Sequence, residues 1–208
     1  MIKRTKEFDS YQEYFEDWCN EVLSEEDKYM LLDTETTGLG SKSQIVELAI
    51  TGPSCEVLYN KLMRPSTGRI TQEAVAIHHI TEEMVSTAPS FKDEWPEIRR
   101  IIGDRIVLSW NWSFDERMLK QSAAAHKIEW PFINGECAML GYTEYYQLGK
   151  WEKLQDACKR EKIDFQQDHR ALGDVMATLE VIRAVAKKEL PKPPDLQDWD
   201  DVRKVLEG

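Results

Sequence analysis

Asp33 and Glu35 close an apolar run in the stretch LLDTETTGLG, residues 31–40. Two acids on alternate positions of a strand point to one face, where they repel unless something positive lies between them. Asp115, in SWNWSFDERML, follows a second apolar run, and DHRALGD holds His169 and Asp174 at the entry to a helical pattern. Each of these residues stands where a core element meets solvent, and such junctions can converge. If they do, four carboxylates cannot all stay ionised without cations, because like charges raise one another's pKa. Oxygen-rich ligand sets select the hard ions Mg²⁺ or Mn²⁺, and an all-carboxylate cluster suits two such ions roughly 3.5 to 4 Å apart. That pattern fits phosphodiester chemistry. The unperturbed pKa of His169 suits it to take a proton from an attacking water at neutral pH.

The elements that must position these side chains follow from periodicity. Residues 8–23 place Phe8, Tyr11, Phe15, Trp18, Val22 and Leu23 at helical spacing, with Asp9 or Ser10 as the cap. Three strand-like runs come next, YMLLDTE, QIVELAITG and CEVLYNKLMRP, and read as a β-meander. Beyond them the pattern predicts helices over 71–77 and 91–102, a strand over 105–110, a helix over 113–127 and a short strand near GECAML. The last third reads as helix over 150–162 and again over 170–190. Residues 191–208, PKPPDLQDWDDVRKVLEG, open with three prolines and predict an extended connector. Antiparallel strands followed by alternating helix and strand indicate an α/β or α+β domain around one mixed sheet.

At 208 residues, with 41% hydrophobic and 10% aromatic content, the chain can bury a full core within one domain. Its formal net charge of −11 argues against a broad basic surface coating nucleic acid and leaves room for a local basic groove. Cys19, Cys55, Cys137 and Cys158 lie far apart, which indicates small, partly buried hydrophobes rather than a zinc site or a disulfide framework. No apolar run reaches the roughly 18 to 20 residues of a membrane span, and the first residues lack the apolar stretch of a secretory signal. The expectation is a soluble, cytoplasmic protein without a membrane partner.

Asp33-Thr34-Glu35-Thr36-Thr37-Gly38, Asn111 through Phe114-Asp115, and His169 with Asp174 five residues on resemble the motifs of the DEDDh group of DnaQ-like 3′-to-5′ exonucleases. AVAIHHITEEMV and HRALGDVMATLEVI resemble that family's text too, so the likeness runs from about residue 29 to residue 186. It implies an α/β, ribonuclease-H-like domain with a central mixed β-sheet flanked by helices. It further implies that Asp33, Glu35, Asp115 and Asp174 bind two Mg²⁺ or Mn²⁺ ions and that His169 is the general base. A related subgroup uses tyrosine in place of the histidine and would need it at position 170, where this chain has Arg170. Two positions depart from the family text: Trp110 stands where histidine is common, and His79 replaces a glycine. If position 79 needs a positive φ, histidine is strained there.

The resemblance also points to Thr36 and Leu39, in the turn after the first motif, and to His78 and Asn111 as substrate contacts. For Leu39 the bland alternative is a buried loop residue, and for His78 a core histidine satisfied by backbone. Trp110 and Trp112 are candidates for base stacking or for packing. Lys150, Lys153, Lys159, Arg160 and Lys162 form either a phosphate-tracking strip or a solvated face. The expected organisation is an N-terminal amphipathic helical extension over 1–28, an exonuclease domain over 29–190 and a Pro-rich tail over 191–208. The expected activity releases nucleoside 5′-monophosphates from the 3′ ends of single-stranded nucleic acid, DNA slightly favoured over RNA. A polymerase or repair complex is a possible partner. The alternative from another class is a non-catalytic 3′-end-binding or accessory module.

Overall fold

The computed structural model describes residues 10–66, 69–165 and 169–186. Its centre is a five-stranded mixed sheet in the order β3-β2-β1-β4-β5. The strands are β1 (Tyr29–Thr36), β2 (Ile45–Thr51), β3 (Val57–Leu62), β4 (Ile106–Ser109) and β5 (Gly135–Cys137). The first three form the antiparallel meander, whereas β4 runs parallel to β1, and β5 parallel to β4. All seven residues of β2 and all four of β4 are buried, the pattern of strands covered on both faces.

The helices are α1 (Tyr11–Ser24), α2 (Gln72–His78), α3 (Glu82–Val85), α4 (Phe91–Ile102), α5 (Trp112–Ala125), α6 (Ala138–Tyr145), α7 (Leu154–Arg160) and α8 (Ala171–Val185). One apolar layer joins Phe15, Trp18 and Val22 of α1 to Leu31 of β1, Tyr142 of α6 and Val175 and Leu179 of α8. On the other face Leu32, Ile50 and Val107 pack against Ile98 of α4 and Met118 and Leu119 of α5. Ser10 caps α1 by accepting from the Glu13 N–H, and Ser90 and Asp93 form a capping box at α4. A cap of this kind contributes about 1 kcal/mol.

Several expectations shift at the ends of elements. The strand near GECAML stops after three residues, and Ala138 begins α6, which strand-like reading of that text conceals. Helix α3 was not expected. The helix expected over 150–162 is only α7, because Lys153 is extended and the Glu152 carbonyl accepts from the Trp110 indole at 3.1 Å. Asp174 lies in the first turn of α8, at the helix entry. Residues 8 and 9, the end of the last expected helix over 187–190 and the tail over 191–208 lie outside the described residues. All four cysteines are free, and among the described residues no helix is long and apolar enough to cross a membrane.

Candidate active site

Strand alternation puts Asp33 and Glu35 on one face at the carboxyl end of β1, the only half-buried positions in an otherwise buried strand. Asp174, on the first turn of α8, meets them there: one ligand oxygen from each of the three lies within 4.8 Å of the others. Asp115 is 3% exposed on the first turn of α5, and its Oδ1 accepts from the Thr34 hydroxyl at 2.7 Å. Thr34 alternates with Asp33 and Glu35 along β1, so the strand contributes both acids and the hydroxyl that holds a third one.

The electrostatics are severe. Burial, then the charges of Asp115, Asp174, Glu35 and Glu47, raise the Asp33 carboxyl well above the ordinary range. Glu35 is pushed up to about 9 by burial and by Asp174, Glu47 and Asp115, with Arg170 opposing. Burial raises Asp115 to about 7 against the pull of its hydrogen bonds. Groups with those pKa values would be protonated for much of the neutral range, and a bound cation is what favours their ionised form. Three carboxylates this close, with a fourth beside them, match the hard-oxygen donor set of Mg²⁺ or Mn²⁺.

Glu47 is a residue that sequence reasoning missed. It sits fully buried on β2, directly across from Glu35. Arg170 Nε donates to both its oxygens at 3.0 Å, Arg170 Nη2 donates to Oε1 as well, and the Ala171 N–H donates to Oε2 at 3.0 Å. One buried carboxylate therefore fixes the start of α8, and with it Asp174, against the sheet that carries Asp33 and Glu35. The available signal was a glutamate inside the otherwise apolar run IVELAI. His169 has a φ of 51°, a left-handed conformation rarely tolerated outside glycine and associated with functional sites. It lets His169 line an open cavity while Arg170, next in the chain, reaches into the sheet.

The expected substrate contacts are divided. Leu39 is 76% exposed, so the buried-loop alternative is excluded. Thr36 is buried, and its hydroxyl donates to the Gly38 carbonyl at 2.9 Å. Gly38 needs its glycine: φ is 147°, and a Cβ there would meet Thr71 Cγ2 at 3.0 Å. His78 is 2% exposed and its ring is taken up by backbone. Nδ1 accepts from the Ile80 N–H at 3.0 Å, which leaves the proton on Nε2 to donate to the Thr36 carbonyl, also at 3.0 Å. Burial lowers its pKa, in keeping with a neutral ring. His78 thus braces the Thr36 turn and does not reach outward itself. His79 does adopt the left-handed conformation, with φ 60° and ψ 8°, as the cap of α2. Asn111 precedes α5 and lines the same cavity as His169.

Both tryptophans of the second motif turn out to pack. Trp110 is buried against Tyr142, and Trp112 lies over Gly135, where a Cβ would fall 1.9 Å from the indole. Of the basic residues read as either a phosphate-tracking strip or a solvated face, Arg160 pairs with Glu152 at 2.7 Å and Lys159 with Asp156 at 3.7 Å. Lys153 lines the cavity instead.

The RNase_T model, described as Exonuclease, matches residues 30–182. The chain belongs to that exonuclease family. An uncharacterized exonuclease, CP81, of Escherichia phage 186 is 37% identical over 175 residues, 78% of this chain and 90% of the phage protein. The PolC-type DNA polymerase III of Bacillus subtilis is 30% identical over 192 residues, covering 85% of this chain and 13% of the polymerase. Among solved structures, exonuclease X in complex with 5′ overhanging duplex DNA is similar at a TM-score of 0.56 and 28% identity, covering 80% of this chain and 98% of that one. The nuclease domain of 3′hExo, a DEDDh family member bound to rAMP, shares the fold at a TM-score of 0.65 and 15% identity, covering 77% and 92%. The fold is ribonuclease-H-like, and the protein is an enzyme, a DnaQ-like 3′-to-5′ exonuclease of the DEDDh type.

Proposed function

We propose that the chain removes nucleoside 5′-monophosphates from 3′ ends of single-stranded nucleic acid, DNA before RNA, by two-metal hydrolysis with His169 as the general base. The observation that carries this reading is the cluster of Asp33, Glu35 and Asp174 with Asp115 beside it, four buried or half-buried acids at strand and helix ends. The four carboxylates would hold divalent ions, which would supply positive charge for the phosphate and its leaving oxygen and favour ionisation of the attacking water. His169 takes the proton from that water. Water oxygen bonds to phosphorus, the bond from phosphorus to the 3′ oxygen breaks, and that oxygen takes a proton from solvent, so that the shortened strand leaves with a new 3′ hydroxyl. Thr34 holds Asp115, and the Glu47–Arg170 pair holds Asp174, so neither must reorganise during the reaction. The turn carrying Thr36 and Leu39, supported by His78, receives the terminal nucleotide, and Asn111 borders it.

The lean towards DNA is supported by likeness to a polymerase exonuclease segment and to exonuclease X, solved with DNA. The same polymerase likeness supports a polymerase or repair complex as the partner. The test is degradation of matched 5′-labelled single-stranded DNA and RNA with Mg²⁺, Mn²⁺ or EDTA, with His169→Ala alongside. A ladder shortening from the 3′ end, faster on DNA, abolished by EDTA and strongly slowed in the variant, is expected. No cleavage of either strand with either metal would overturn the reading.

A further inference from the structure

Beside the carboxylates, on the flank formed by α6 and α7, lies an open cavity of about 520 Å³. That volume falls within the range of small-molecule sites. Asn111 and His169 line it beside Trp110, Met139 and Leu154, and Trp151, Lys153, Gln155 and Glu152 complete the wall, the Glu152 carboxylate being paired with Arg160. Trp151 is 68% exposed, and among the described residues no aromatic ring stacks on it.

An indole left in water at the edge of a cavity forgoes the burial that usually accounts for tryptophan. The neighbouring residue is nonetheless firmly held. The Glu152 carbonyl accepts from the Trp110 indole at 3.1 Å, its N–H donates to the Thr143 hydroxyl at 3.4 Å, and its carboxylate accepts from Arg160 at 2.7 Å. Glu161 ties the same region together by accepting from the Tyr142 and Tyr146 hydroxyls at 2.6 and 2.7 Å. Trp151 therefore projects from a loop anchored, through Glu152, beside the strand end that leads to Asp115.

An aromatic face, an ammonium and a side-chain amide around one cavity are the groups that take a base, a phosphate and a base edge. We infer that this cavity is a nucleotide subsite in which Trp151 stacks the base of a nucleotide on the 5′ side of the scissile linkage and Lys153 meets its phosphate. The inference rests on the exonuclease reading, which places the terminal nucleotide on the opposite flank, at Leu39. Stacking of this kind is indifferent to base identity, as removal of successive nucleotides requires.

The experiment compares the p-nitrophenyl ester of thymidine 5′-monophosphate, which has no upstream nucleotide, with a ten-residue thymidylate strand. Wild type, Trp151→Ala and Trp151→Phe are assayed on both. The ratio of kcat/KM on the strand to kcat/KM on the ester is expected to fall about ten-fold in Trp151→Ala, mainly through KM, and to recover in Trp151→Phe. A strand with an abasic residue next to its 3′ nucleotide should lose a similar factor in wild type and little more in Trp151→Ala. An unchanged ratio, or an equal fall on both substrates, would overturn the subsite while leaving the exonuclease reading intact. Failure of wild type to hydrolyse either substrate with Mg²⁺ or Mn²⁺ would overturn both.

Discussion

On the β1–α2 flank of the carboxylates, the Thr36 hydroxyl, the Thr36 carbonyl and both His78 nitrogens are bonded within the protein. On the α6–α7 flank an indole, an ammonium and an amide stand open around a cavity. The first flank is shaped by backbone, through Gly38 at a φ of 147° that L side chains rarely adopt, and so presents a fixed outline. The second presents side chains on an anchored loop. Fixed backbone suits the step that must recur identically at every terminal nucleotide, and side chains suit a strand whose bases vary. Between the flanks lies the cluster itself, held in place by Glu47 and Arg170.

Breaking that brace should have the largest effect. Glu47→Gln leaves the partly buried Arg170 guanidinium without its charge partner, and removing one member of a buried pair costs at most about 3 to 5 kcal/mol, less where one partner reaches solvent. Urea unfolding is expected to show a loss of that order, with much of it recovered in the double variant Glu47→Leu/Arg170→Leu. A loss no larger than that of an exposed pair such as Arg100–Glu97 would mean that the brace does not hold α8.

The cluster should reveal itself through pH next. Glu35 near 9 and Asp115 near 7 hold protons more tightly in the folded than in the unfolded chain, where carboxyls titrate near 4. Their contribution to stability is therefore full below about pH 4 and lost as pH rises through 7 towards 9. In EDTA the Tm is expected to decline between pH 6 and pH 9, and Mg²⁺ or Mn²⁺ should reverse the decline. A Tm indifferent to metal across that range would argue against the cluster as a cation site.

The smallest change concerns the border of the first flank. His79→Gly relieves a left-handed backbone and should stabilise the fold by about 1 kcal/mol, less what glycine gains in the unfolded chain. A destabilisation of similar size would show that the imidazole makes a contact outweighing the strain.

The motifs were legible because strand alternation at Asp33 and Glu35 and the helix entries at Asp115 and Asp174 are local patterns. The meander and the α4–β4–α5 unit were legible for the same reason. Glu47 was not, because its meaning depends on Arg170, 123 residues away. Stacking and packing could not be told apart for Trp110 from local text, because its burial rests on tertiary partners, Tyr142 and the Glu152 carbonyl that accepts from its indole. The helix over 150–162 was overdrawn because that same bond removes a carbonyl which α7 would otherwise have used.

The most direct test of the account is calorimetric titration of the metal-free protein with Mn²⁺, for wild type and Asp33→Asn, with circular dichroism as the check on folding. Wild type is expected to bind Mn²⁺ more tightly as pH rises from 6 to 8, because protons must leave the raised carboxyls, and Asp33→Asn to lose that binding while folded. Undiminished binding in Asp33→Asn, or none in wild type, would contradict the carboxylate cluster as the seat of the chemistry.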